Sequence, residues 1–207
     1  MVREKYLSLC LNIVEDFKME KIIGTHNTMS YLPPKYWWLK PFNWLFAKCQ
    51  NDPFSNLQKY SILCDIVKCV DLRIYWNEKS VSWHFAHGLI DYGELNLVSF
   101  IEELIKNNIE YIRIILERDG GEYLFFTACK NLEMIYGGDV IFIGGNRKSD
   151  WKQIYKFANI LPIHQWVGSM TEDARWYEKI IPRFYAKRMN KKNLKNLKEG
   201  INLFDFL

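Results

Sequence analysis

Hydrophobic and polar positions change period several times along the chain, and each change marks an element. In "EKIIGT" (20–25) the apolar residues stand together and stop at Gly24 and Thr25, as in a short buried strand. "KCVDLRIYW" (68–76) and "SVSWHFAHG" (80–88) read as a second and a third strand. In "NLVSFIEELIKNN" (96–108) the period shifts. Leu97, Phe100, Ile101, Leu104 and Ile105 fall at helical spacing, so one face of an amphipathic helix is apolar. "YIRIILER" (111–118) is a strand of β-branched residues. "GEYLFFTACKNLEMIYGG" (121–138) is a helix that stops at a glycine pair, "DVIFIGG" (139–145) is a strand, and "GINLFDFL" (200–207) is a last one. His164, in "LPIHQWVG", falls in a stretch the pattern does not place.

Strands separated by helices predict βα units and a parallel sheet. The expected fold is therefore α/β, as a small or irregular TIM-type (β/α) barrel, since 207 residues fall short of the usual ~250. No linker or repeat interrupts the chain, so residues 1–207 are expected to form a single domain. The polar residues then fall in a recurrent place. His26 and Asn27 follow the first strand, Asp71 and Arg73 lie in the second, and His87 ends the third. Glu117 and Arg118 end the "YIRIIL" strand, and Asp205 lies near the end of the last. In such barrels the C-terminal ends of strands converge on one pocket. Any one of these residues alone would read as a satisfied core polar group, but the repetition argues for a site. His84 sits three residues before His87, faces away from that pocket in a regular strand, and reads as structural. Arg147, in the loop after "DVIFIGG", is a candidate second phosphate contact.

Composition adds a surface. Apolar residues make up 49% and charged residues 25%, ordinary for a folded domain, and the net charge of +4 is a mild pull toward anionic partners. The basic residues form no nucleic-acid-binding motif, so no nucleic-acid partner is expected. Aromatic residues reach 16%, and they concentrate in residues 31–48, "YLPPKYWWLKPFNWLFAK". There Trp37, Trp38 and Trp44 alternate with Lys35, Lys40 and Lys48, a composition that suits a bilayer interface with rings at headgroup depth. A lid packed over the barrel is the other reading of that loop. The basic run "RFYAKRMNKKNLKNLK" reads as a second contact with an acidic surface or as a solvated helix. Five scattered cysteines show no metal-ligand spacing and read as reduced, mostly buried thiols. No stretch of 18 apolar residues and no signal peptide is recognised, which predicts a cytoplasmic or peripheral membrane protein.

Two histidines across a pocket can serve as base and acid near neutral pH, and an arginine between them can hold a phosphate. With a neighbouring hydroxyl as nucleophile, that set can cleave a phosphodiester. "GTHNTMS", "VDLRIYW", "FAHG" and "GINLFDF" occur in the order seen in the X-domain of phosphatidylinositol-specific phospholipase C, and "NLVSFIEELIKNNIEYIRIILER" is similar to that family's helix and following strand. The resemblance covers roughly residues 20 to 120 and, more weakly, the last eight residues, while 140 to 198 match poorly. It implies a membrane-surface enzyme that converts a phosphatidylinositol-type lipid to diacylglycerol and a cyclic inositol phosphate. It implies His26 as general base, His87 as general acid, Arg73 on the phosphate, Asp71 in support and Asp205 paired with His26. Asn27, Glu117 and Arg147 are the expected substrate contacts.

The chain departs from the pattern at two places. Asn27 stands where the metal-independent bacterial enzymes carry an aspartate. Arg73 stands where the calcium-dependent enzymes carry a further acidic ligand. Asn27, Asp71 and Glu117 are the calcium set if the enzyme uses calcium. The cation of Arg73 opposes it, and a metal-free site is expected. Glu117 then serves as the partner of Arg73. Two other readings stay open: a glycerophosphodiester or sphingolipid phosphodiesterase, and a barrel that binds lipid without cleaving it.

Overall fold

The computed structural model describes residues 21–26, 28, 32, 34–42, 67–146, 163–166, 174–180 and 182–204. Eight strands in these residues form one mixed sheet: β1 (Lys21–Thr25), β2 (Val67–Asn77), β3 (Ser82–His87), β4 (Ile90–Leu95), β5 (Tyr111–Leu116), β6 (Ile141–Asn146), β7 (Ile163–Trp166) and β8 (Gly200–Phe204). Six of them run parallel in the order β7–β8–β1–β2–β5–β6. The helices are α1 (Leu97–Lys106), α2 (Glu122–Tyr136), α3 (Trp176–Ile180) and α4 (Pro182–Asn193), with a short 3-10 helix at Trp37–Phe42.

Side chains alternate across the sheet, and the alternation builds two different layers. Val70, Leu72 and Ile74 of β2 share a core with Ile112, Ile114 and Leu116 of β5 and Phe142 of β6. Leu97, Ile101 and Leu104 of α1 and Phe125, Cys129 and Leu132 of α2 close the same core from outside. Burying each large apolar side chain there stabilises the fold by roughly 1.5–3 kcal/mol. The opposite face begins with a second cluster of Ile22, Cys69, Tyr111, Ile143, Ile201 and Leu203. The next positions on that face, two residues further along β1, β2 and β5, are Gly24, Asp71 and Arg113. The apolar cluster is thus the floor on which the polar residues stand.

Gly24 is required by the spacing of three strands. A Cβ at that position would lie 2.8 Å from the Cys69 Cβ and from Leu203 Cδ2, and 2.9 Å from the Cys69 carbonyl oxygen. Only a residue without a side chain lets β1 pass between β2 and β8 there.

The structure departs from two expectations. The sheet is mixed, because β3 and β4 run antiparallel to β2. Only Glu78–Val81 separate β2 from β3, too few residues for the crossover a parallel pair needs. Nor is the sheet closed among the described residues: β6 and β7 do not pair with each other. The first strand does pair with the last, from Lys21↔Gly200 to Thr25↔Phe204. Among the described residues no helix is long and apolar enough to cross a membrane. Cys69 and Cys129 are buried and form no disulfide, and the other three cysteines lie outside the described residues.

Candidate active site

Three strand ends bring the polar residues together. β1 runs into His26, whose backbone N–H donates to the Phe204 carbonyl of β8 at 2.9 Å. Thr28 then fastens the loop to β2. Its N–H donates to the Asp71 carbonyl at 2.9 Å, and its hydroxyl accepts from the Asp71 N–H at 3.0 Å and meets the Thr25 hydroxyl at 2.7 Å. The histidine is therefore held by backbone bonds to strands on both sides, and its side chain is buried over the floor.

Asp71 is fully buried and lies directly across from Arg113 in the β2–β5 register. Its Oδ1 accepts from Arg113 Nη1 at 2.8 Å and its Oδ2 from Arg73 Nε at 3.1 Å. Arg73 also donates through Nη1 to Glu117 Oε2 at 3.3 Å. Arg73 Nη2 lies 2.8 Å from His26 Nε2. A guanidinium can only donate, so Nε2 is the accepting nitrogen of that ring. Two carboxylates and two guanidiniums balance one another in this cluster, which is what allows four charged groups to be buried together. Burial works against the charge of Arg73, but Asp71 and Glu117 outweigh it and hold the guanidinium above its ordinary pKa.

Glu117 links this cluster to the end of β3, where His87 stands. Its Oε1 accepts from the Gly88 N–H at 2.7 Å, one residue beyond His87. Gly88 has φ +59, a left-handed backbone in which glycine carries no steric cost. The Gly88 carbonyl in turn accepts from Arg118 Nε at 3.0 Å, and the Arg118 guanidinium stacks on Tyr75 at 3.8 Å from the ring centre. His87 is half-buried at the end of β3, beside this turn.

Of the residues expected from sequence, His26, Asp71, Arg73 and Glu117 form one bonded cluster, and the backbone N–H of Gly88, next to His87, bonds to Glu117. Asn27, Arg147, Asp205 and Trp44 lie outside the described residues. Trp37 and Trp38 are exposed, at 79% and 55%. The segment that carries them is pinned to β4 by the Lys35 N–H, which donates to the Asp91 carbonyl at 2.7 Å. His164 lies in β7, with Nε2 3.0 Å from the Glu199 carbonyl oxygen.

Arg113 and Thr28 are members of the neighbourhood that the sequence pattern did not single out, while Arg118, one of the recurring strand-end charges, lies on the Gly88 carbonyl beside it. For Arg113 a signal existed: Arg113, Ile115 and Glu117 alternate onto one face of β5, as Asp71 and Arg73 do on β2. The calcium set does not fit this arrangement. Both Asp71 oxygens face guanidiniums, and Glu117 is divided between Arg73 and the Gly88 N–H. An ion there would have Arg73 as its neighbour.

No protein-family model matches the chain, and no curated protein or solved structure matches it either.

Proposed function

We propose that the chain is a metal-independent phosphodiesterase of the phosphatidylinositol phospholipase C type, built on an irregular barrel and acting at a membrane surface. The observation that carries the reading is the part-buried contact of His26 with Arg73, tied through Glu117 to the turn behind His87. The pairing of β1 with β8 supports the barrel, since it joins the first strand to the last as barrel closure requires. The exposed Trp37 and Trp38, with Leu89 at 91% exposure one residue beyond Gly88, support a lipid surface as the partner.

In this mechanism the lipid phosphate draws donors of Arg73 toward itself and releases the Nε2 lone pair of His26. His26 takes the proton of the inositol 2-hydroxyl as that oxygen attacks phosphorus. The bond from phosphorus to the glycerol oxygen breaks, and His87 gives that oxygen a proton. The products are a cyclic inositol phosphate and diacylglycerol. Arg73 stabilises the charge that builds on the phosphorane, and Asp71 and Arg113 hold Arg73 in place.

Hydrolysis of phosphatidylinositol in mixed micelles tests this. Turnover is expected to survive chelator and to fall by about 100-fold or more in His26→Ala and in His87→Ala. Turnover that needs added calcium would overturn the metal-free mechanism. A second reading, a lipid-binding barrel without turnover, draws on the same His26–Arg73 contact, because it engages the base in the free protein. It predicts vesicle binding with no hydrolysis under either condition.

A further inference from the structure

A second constellation lies on the hairpin formed by β2 and β3, and the phosphodiesterase reading does not use it. His84 is completely buried, and its Nδ1 lies 2.9 Å from Asp91 Oδ1. Its Nε2 lies 2.9 Å from the hydroxyl of Ser80, an exposed residue of the turn between β2 and β3. Asp91 also accepts from the Tyr75 hydroxyl at 2.8 Å and the Gly93 N–H at 2.8 Å, with Lys35 Nζ 3.8 Å away. Burial opposes the charge of Asp91, but the bonds from His84, Tyr75 and Gly93 win, and its pKa lies below the ordinary value. An ionised Asp91 fixes the proton on His84 Nδ1 and turns the Nε2 lone pair toward Ser80.

The hydroxyl of Ser82 donates to the Ser80 oxygen at 2.9 Å, leaving the Ser80 proton for His84. Asn77 Oδ1 accepts from the backbone N–H groups of Lys79 and Ser80, at 3.0 and 3.4 Å, and so shapes the turn. The residue after Ser80 is strained: Val81 has φ +51, which a β-branched side chain rarely adopts, and it is 70% exposed. Strain beside an exposed hydroxyl is a recurrent mark of a functional turn. Val81 and Ser82 also line a groove of about 470 Å³ between the hairpin and helices α1 and α2, walled by Trp76, Trp83, Leu95 and Leu132. That is the volume of a small-ligand pocket, and its lining suits an apolar chain.

We propose that Ser80, His84 and Asp91 form a nucleophilic triad that hydrolyses small carboxylic esters at the exposed turn beside this groove. The Ser80 oxygen attacks the acyl carbon while its proton passes to His84 Nε2. The carbon–alkoxy bond breaks, and His84 returns the proton to the leaving alcohol. Water then attacks the acyl-serine, gives one proton to His84, and releases the acid as the serine oxygen recovers that proton. The Ser82 hydroxyl is a donor within reach of the oxyanion. Asp91 positions His84 and stays ionised throughout.

The test uses the intact chain with p-nitrophenyl butyrate and a fluorophosphonate label read by peptide mass spectrometry. One adduct is expected, on the peptide that holds Ser80. Ser80→Ala should remove it and lower kcat/KM by about 100-fold or more in a chain that circular dichroism still shows folded, with a lower melting temperature because the buried His84 Nε2 loses its partner. Ser82→Ala should keep the adduct and lose about 100-fold in kcat. No adduct, an adduct on another residue, or wild-type hydrolysis in Ser80→Ala would overturn the triad and leave the bonds as a clasp of the hairpin.

Discussion

At the scale of single residues, Asp71 carries the most. It has no exposure and serves two guanidiniums, one on each oxygen. Asp71→Asn keeps the shape and removes the charge, so Arg113 loses its anion and Arg73 keeps only Glu117. We expect a loss of roughly 3–5 kcal/mol in urea unfolding, the cost of an uncompensated buried charge. The proposed phosphodiester hydrolysis should fall with it, because Arg73 would lose its orientation. Cys69, on the same face as Asp71, illustrates the environment: burial first, and then the Asp71 charge, push its thiol pKa far up, so it stays protonated. The residues Asp71, Arg73 and Glu117 were legible as a site because charge recurred at strand ends. Arg113 was not, because a single arginine inside "YIRIIL" reads equally well as an edge position. Its role depends on register, and Asp71↔Arg113 is set by how β2 and β5 slide against each other.

At the scale of elements, the helix at Leu97–Lys106 was legible because its apolar stripe is one-sided and Asn96 caps it, accepting from the Ser99 N–H at 3.2 Å. The long β2 and the β-branched β5 were equally plain. β4 was not, since "IDYGEL" breaks its alternation with Gly93 and a bulge opposite Phe85/Ala86. β7 has four residues, too few for any period to show. The direction of β3 was in the sequence after all, in the four-residue connection before it. Gly24 gives a test at this scale. Gly24→Ala places a methyl against the Cys69 backbone and Leu203, so β1 must move from β2, β8 or both. A destabilisation of about 1–3 kcal/mol is expected by chemical denaturation, and the proposed phosphodiester hydrolysis should be lost with it, because His26 follows that strand.

At the scale of the whole molecule, two polar networks sit on one sheet, and the one around Asp91 carries a pH dependence. Asp91 has its pKa lowered by His84, Tyr75 and Gly93 against the opposing effect of burial. A depressed carboxylate contributes stability that is complete above its unfolded value and lost as pH falls through its folded value. Melting temperature should therefore drop more steeply below about pH 4 in the wild type than in Asp91→Asn, measured in parallel scans. The pairing of β1 with β8 bears on how the molecule comes into being. During synthesis, β1 leaves the ribosome about 175 residues before its neighbour β8, roughly 10–35 s earlier at ordinary elongation rates. Through that interval one edge of β1 has no strand beside it and invites foreign pairing. The Phe204 carbonyl that receives the His26 amide does not yet exist either. The nascent chain therefore lacks the bond that fixes His26 at the end of β1 until β8 docks, so this corner of the sheet is completed only after the chain has been made.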